Sequence, residues 1–231
     1  MHSTAPLSVV IPALDPGPPF GECLDSLEEG RARGLVAEVI VVDGGSRDGS
    51  PSLALRRGAR LVEAPRGRGP QLAAGAAASV GAWLLFLHAD TRLAPGWACC
   101  AAAFMTAPEN RDRAGYFRFR LDDSAPAARR LESMVAARCR WLGLPYGDQG
   151  LLLSRALYEA VGGFRRLPLM EDVDFVRRLG RRRLVPLAAV ATTSARRYRR
   201  SGYARRMLRN GCCLGLFFLG VPPRLIAKLY A

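Results

Sequence analysis

The run Trp83-Leu84-Leu85-Phe86-Leu87 followed by His88-Ala89-Asp90-Thr91 constrains this chain more than any other stretch. Five consecutive apolar residues fit a strand buried on both faces, and such strands belong to parallel sheets covered by helices. A carboxylate stands where the run ends. Upstream, Glu38-Val39-Ile40-Val41-Val42 runs into Asp43 in the same way. In open α/β sheets, ligands bind outside the carboxyl ends of the strands. Two strands that each deliver an acid to one rim therefore predict a site for a nucleotide and a divalent cation.

The surrounding pattern agrees. Leu7–Ile11 reads as a first buried strand stopped by Pro12, and Phe20, Leu24 and Leu27 form the stripe of an amphipathic helix. Arg60–Glu63 reads as a third strand and Gln71–Ala82 as an Ala-rich helix before the Trp83 strand. Alternating strands and helices without Asn-Gly hairpins predict a mostly parallel sheet with right-handed crossovers. Further on, 115–120 alternates like a half-exposed strand, Ala127–Trp141 reads as a helix, and Gly150–Leu153 as an apolar strand. Glu171–Leu179 reads as a helix with an acidic first turn, and 184–191 as a last strand. With no internal repeat or linker, the expectation is one domain over 1–231, its core at about 7–200 and a helical extension at about 201–231.

Charge divides the chain unevenly. All 20 acids lie in residues 1–174, whereas residues 175–231 hold 14 of the 34 basic residues and no acid. The tail carries Arg196-Arg197-Tyr198-Arg199-Arg200, then Arg205, Arg206 and Arg209, then the apolar Cys212–Leu219. A basic face beside an apolar one describes either an interfacial helix on anionic lipid or a terminal helix packed on its own domain. Nucleic acid is the weaker match. The apolar run Gly211–Val221 is shorter than the ~20 residues of a membrane-spanning helix. Six cysteines without C-x-x-C spacing read as small buried residues in a reducing compartment, so a cytoplasmic location is expected, with the inner membrane face open to the tail. Met1–Pro6 has no signal-peptide pattern.

Several familiar chemistries are excluded. With only His2 and His88, a His-rich metal site cannot be built, and no G-x-S-x-G elbow supports a serine triad. No Walker lysine or G-x-G-x-x-G fingerprint is present. The candidates that remain each have a plain structural alternative. Asp90 suits Mg²⁺ or Mn²⁺, or else it or Thr91 caps a following helix. Asp43 suits a nucleotide, or else the turn at Gly44-Gly45. Arg66 and Arg68 suit phosphate, or else solvent. Glu171 and Asp172 suit a general base, or else the positive end of a helix dipole. Asp148 and Gln149 suit the acceptor side, or else a polar turn.

Taken in order, Val9-Val10-Ile11-Pro12, Val41–Ser50 (with Asp43-Gly44-Gly45-Ser46-Arg47-Asp48-Gly49 inside it), Leu87–Thr91 and Met170–Asp174 resemble the family 2 glycosyltransferases over roughly residues 7–200. Gly67-Arg68-Gly69, Gly147–Gly150 and Gly220-Val221-Pro222 resemble a bacterial branch called radical-SAM/selenodomain-associated transferases. The resemblance implies the GT-A fold and an inverting transfer from a nucleotide sugar, usually a UDP-sugar, with Mn²⁺ or Mg²⁺. It implies that Pro12, Ala13, Asp43, Arg68, Ala89 and Asp90 meet the donor. Asp90 would be the metal carboxylate, in the last position of a D-x-D motif whose first position is His88 here. Asp172, with Glu171 beside it, would be the catalytic base, and Asp148, Gln149 and Arg197 would face the acceptor. Ser194–Tyr198 lacks the Gln and Trp of the Q-x-x-R-W motif of processive relatives, which argues against polymer synthesis. Two alternatives stay open: a nucleotidyltransferase on a similar scaffold, and a non-catalytic scaffold bound to anionic lipid.

Overall fold

The chain is built around one eight-stranded sheet of order β3-β2-β1-β4-β7-β6-β8-β5. This computed structural model describes residues 6–230, so His2 and most of the Met1–Pro6 segment lie outside the described residues. The first half comprises β1 (Leu7–Ala13), α1 (Pro19–Asp25), α2 (Glu28–Ala32), β2 (Val36–Asp43), α3 (Ser50–Arg56), β3 (Arg60–Glu63), α4 (Arg68–Ala78) and β4 (Trp83–Phe86). After it come β5 (Thr91–Leu93), α5 (Trp97–Thr106), β6 (Ala114–Leu121), α6 (Pro126–Leu142), β7 (Leu151–Ser154), α7 (Arg155–Ala160), α8 (Glu171–Leu179) and β8 (Leu184–Thr193). The chain ends in α9 (Arg196–Ser201), α10 (Tyr203–Phe218) and α11 (Pro223–Tyr230).

Strands β3, β2, β1 and β4 are parallel, as the apolar runs of β2, β1 and β4 require, with the half-exposed β3 at the edge. Their side chains fill two cores. Val9, Ile11, Val41 and Leu85 pack with Phe20 and Trp97 on one face, and Val10, Ile40, Val42 and Leu84 pack with Leu72 and Phe175 on the other. Strand β7 is antiparallel to both β4 and β6, while β6 and β8 run parallel. The sheet is thus mostly parallel, with its mixed part in the second half.

Several boundaries differ from the sequence reading: the Phe20–Leu27 stripe is split between α1 and α2, β8 runs on to Thr193, and three further differences lie near the strand ends. Strand β1 continues through Pro12 to Ala13. Val10 O accepts from Leu87 N, so even-numbered residues of β1 face β4, and β4 ends at Phe86. The missing N–H of Pro12 therefore points past the end of its neighbour, where no ladder bond is lost. Helix α4 begins at Arg68 and stops at Ala78, so the conformation before β4 is loop rather than helix. Residues after Asp90 do not open a helix: Thr91–Leu93 is a short strand antiparallel to β8. Thr91 and Thr193 share a hydroxyl hydrogen bond of 2.8 Å at that junction.

Close packing fixes α4 over the sheet. A Cβ at Gly75 would lie 2.3 Å from Val10 Cγ1, and one at Gly69 would lie 2.5 Å from Arg165 O. Only glycine lets the helix approach the strand ends and the 165–167 loop this closely. Gln71, 2% exposed, then donates its amide to Ala13 O (2.7 Å) and Val42 O (2.8 Å). This side chain ties the ends of β1 and β2 to the first turn of α4 and so positions Arg68.

Candidate active site

Beyond the carboxyl ends of β1 and β4 lie two adjoining hollows. One, of about 300 Å³, is lined by Pro12, Arg66, Arg68, Ala89, Asp90 and Arg197 among others. The second, about 110 Å³, reaches Asp148, Asp172, Thr193, Tyr198, Arg206 and Asn210. Arg68, His88, Asp90, Leu169 and Arg197 line both. The cleft therefore has a wide half at the strand ends and a narrow half walled by the tail.

Asp90 sits in the connection between β4 and β5. Its carboxylate makes no hydrogen bond or ion pair among the described residues, while its backbone C=O accepts from Ser194 N at 2.9 Å. His88, two residues earlier, is packed against Gly147, where a Cβ would fall 2.4 Å from His88 Nε2. Burial, with the Arg68 and Arg197 charges adding to it, pushes the imidazole pKa well below its ordinary value. His88 is therefore neutral at pH 7, a state with one ring nitrogen free to accept.

Asp148 comes from the 3₁₀ turn Gly147–Gln149. Its Oδ1 is buried without a hydrogen-bond partner. Burial pushes the Asp148 pKa up to about 6, with Asp172 and Asp90 raising it further against the pull of Arg138 and Arg68. Three carboxylates thus face one small volume. Asp172, in the first turn of α8, accepts from Gly147 N at 3.2 Å through Oδ2 and from Val173 N at 2.8 Å through Oδ1. Met170, just before it, has φ +64 and is held there by burial with Leu169, Val173 and Ile226. A non-glycine residue in that region carries strain, which here sets the direction in which α8 leaves the cleft.

Glu171 is 1% exposed and ion-paired with Arg68, Oε1 to Nε, at 2.7 Å. Burial pushes its pKa up to about 7, with Arg68 opposing and Asp172 adding to the rise. Its carboxylate faces the interior at Arg68 rather than the narrow half of the cleft, so it orients the guanidinium. A diphosphate that draws Arg68 away leaves Glu171 without its partner and favours its protonated form. Nucleoside-diphosphate binding is therefore expected to take up a proton and to weaken as pH rises from about 6 to 8. Titration calorimetry in two buffers of different ionisation enthalpy measures this, and Glu171→Gln is expected to flatten the slope.

Not all the residues expected here gather at the cleft. Asp43 does not share either hollow with Asp90. Its oxygens accept from Gly45 N (3.0 Å) and Ser46 N (3.0 Å), so the acid caps the turn after β2. Ala13 likewise spends its carbonyl on Gln71 and on Gly44 N (2.9 Å). Gln149 is turned away from Asp148: its Oε1 accepts from Cys139 Sγ (3.1 Å) and Tyr146 N (3.3 Å), and its Nε2 donates to Phe117 O (3.2 Å). It locks the turn from behind. Pro12, Arg68, Ala89, Asp90, Asp148, Asp172 and Arg197 line the cleft. Thr193, Ser194, Arg206 and Asn210 also line it and were not among the candidates. Arg206 and Asn210 are one helical turn apart, but nothing in the sequence says which way that face of α10 looks.

A divalent cation fits this donor set. Asp90 is uncommitted, Asp148 has a buried oxygen without a partner, and His88 is neutral, so negative charge accumulates that a cation would relieve. No cluster of three or more cation-binding side chains is preassembled among the described residues. Such a site matches Mg²⁺ or Mn²⁺, which complete their shells with water and substrate phosphate oxygens.

The family model of glycosyl transferase family 2 matches residues 8–170. Glucosyl-3-phosphoglycerate synthase of Mycolicibacterium paratuberculosis (strain ATCC BAA-968 / K-10) is 37% identical over 93 residues, 36% of this chain and 28% of that protein. The matched stretch thus spans little more than a quarter of that relative. Among solved structures, the Mycobacterium tuberculosis glucosyl-3-phosphoglycerate synthase with Mg²⁺ and uridine diphosphate superposes with a TM-score of 0.58 at 23% identity, covering 81% of this chain and 69% of that one. Its complex with Mn²⁺, UDP-glucose and phosphoglyceric acid gives 0.56 at 23%, with 81% and 69% covered. These likenesses establish the fold, a curled, mostly parallel sheet flanked by helices as in GT-A structures.

Proposed function

The chain belongs to glycosyl transferase family 2, and from that premise we propose that it transfers a sugar from a nucleotide diphosphate, most simply a UDP-sugar, to a hydroxyl acceptor with inversion. The observation that carries the reading is the cleft itself. An uncommitted strand-end acid, a phosphate-ready arginine and a helix-borne acid line one volume beyond β1 and β4. The mycobacterial neighbours hold UDP with Mn²⁺ or Mg²⁺, which supports the same donor and cation class for this chain.

In this reading the wide half receives the nucleotide between Pro12 and the Arg66–Arg68 turn. Arg68, held at the cleft by Glu171 until the donor binds, then offsets charge on the departing diphosphate. Asp90 would hold the cation, with His88 and Asp148 beside it; when bound, the cation neutralises the leaving group. Asp172 faces the narrow half and takes the acceptor's proton as the hydroxyl attacks, the one base that a single displacement needs. Asp148, Arg197, Arg206 and Asn210 border the acceptor. Asp43 and Gln149 serve as anchors of the loops that carry the site.

We also place the chain in the radical-SAM/selenodomain-associated branch and read it as one domain with a helical extension. Gly69 and Gly147, from two of that branch's motifs, stand where a side chain would not fit, which supports the first point. Cysteines without disulfides among the described residues suit a reducing, cytoplasmic setting. The decisive experiment is a nucleotide-release screen over several nucleotide sugars with Mn²⁺, Mg²⁺ or chelator. Slow, metal-dependent hydrolysis of one UDP-sugar is expected. Release from no nucleotide sugar, with pyrophosphate formed from a nucleoside triphosphate and a sugar phosphate, would favour the nucleotidyltransferase instead.

A further inference from the structure

Of the ten large apolar side chains that stand exposed among the described residues, eight lie on α6, α10 and α11 or in the turn after α10. On α10 the outward stripe runs through Ala204, Leu208, Gly211, Gly215 and Phe218 and on to Leu219, with Leu208 71% and Leu219 82% exposed. A solvent-facing helix stripe is normally polar. This one contains no charged residue, although Arg205 flanks it. Its inward face is already satisfied, since Cys213, Leu214, Leu216 and Phe217 pack with Val173, Val176 and Ile226. Packing onto the domain therefore does not account for the outer stripe.

Helix α11 repeats the arrangement. Leu225 and Leu229 are exposed, and Arg224 and Lys228 flank them on the same side. A third contribution comes from a distant part of the sequence. Leu131 and Val135 of α6 share a core with Tyr203 and Met207 of α10, and Leu144, just past α6, packs with Cys213 and Ile226. The end of α6 therefore brings Trp141 (66% exposed) and Leu142 (60%) to this part of the molecule.

Charge decides what covers this surface. Residues 175–231 contain no acid, and Arg200, Arg205, Arg224 and Lys228 are exposed without an acidic partner among the described residues. A second copy docked on the same face would bring like charges together. An anionic bilayer takes both parts: leucines and a tryptophan enter the headgroup boundary while arginine and lysine stems reach the lipid phosphates. No helix among the described residues is long and apolar enough to cross a membrane, so the attachment lies on the surface.

We propose that α10, α11 and the end of α6 form one composite surface that docks the protein on an anionic lipid bilayer. This goes beyond the sugar-transfer reading and does not depend on it. The test is co-sedimentation of the full chain with vesicles of pure phosphatidylcholine or of phosphatidylcholine with phosphatidylglycerol. Binding is expected only to the anionic vesicles, falling with salt over the range in which surface charge is screened. Leu219→Ser with Leu225→Ser is expected to weaken binding about tenfold or more. Trp141→Ser should weaken it although that residue lies outside the basic tail. Circular dichroism and thermal melting report whether these exposed-site variants still fold. Equal binding to neutral vesicles, no binding to either, or variants that bind like the parent would overturn the proposal. So would a stable dimer, seen by analytical ultracentrifugation, that the same substitutions dissociate.

Discussion

Replacing Asp172 by Asn is expected to lower sugar transfer by about 10³-fold, within the range that a positioned general base contributes, and to leave UDP affinity nearly unchanged. The substitution keeps the size of the side chain and an oxygen that can accept from Gly147 N or Val173 N, the two bonds that hold the group now. What it removes is the ability to take a proton. Asp172 also lines only the narrow half of the cleft, away from Pro12 and Arg66. Single-turnover transfer and calorimetric UDP binding separate the two effects. If binding and transfer fall together, the acid is a structural cap of α8. If neither falls, Asp148 is the better base, since its buried oxygen and its pKa near 6 suit proton transfer close to neutral pH.

Removing the Asp90 carboxylate, as in Asp90→Ala, is expected to abolish the tightening of UDP binding by Mn²⁺ and to cost transfer about 10³-fold. That loss corresponds to about 4 kcal/mol of transition-state stabilisation at 1.36 kcal/mol per decade, in keeping with the several kcal/mol that a cation supplies to a charged leaving group. The fold should survive. The side chain makes no bond among the described residues, and the link from this segment to β8 runs through the backbone bond from Ser194 N to Asp90 O. Chelator added to the parent protein should reproduce the variant. If UDP binding in Asp90→Ala still tightens with Mn²⁺, the cation is held elsewhere, and His88→Ala with Asp148→Ala become the informative variants.

The positions of the acids at strand ends were readable because buried parallel strands have an unmistakable signature. Val39–Val42 and Trp83–Phe86 need helices on both faces, and whatever follows them lies at the carboxyl rim. Helix α8 was equally legible, from its apolar spacing and acidic first turn. What an acid does at the rim was not. Asp43 and Asp90 occupy similar sequence positions, yet a glycine turn surrounds one with backbone N–H groups, while a short strand, β5, leaves the other facing the cleft. The difference lies in turn geometry and in the pairing of β5 with β8, a hundred residues away in sequence.

The sequence by itself determined the fold class, the strand ends at which Asp43 and Asp90 stand, and the basic, acid-free tail. Each of these follows from local patterning or composition, which need no partner to be read. The tertiary structure alone decided that Glu171 is buried on Arg68, that Gln149 faces inward, that Arg206 and Asn210 wall the narrow half, and that Trp141 stands exposed at the end of α6. Those outcomes depend on which helix face turns inward and on contacts between segments far apart in the chain. Periodicity gives the existence of a face but not the neighbour against which it packs.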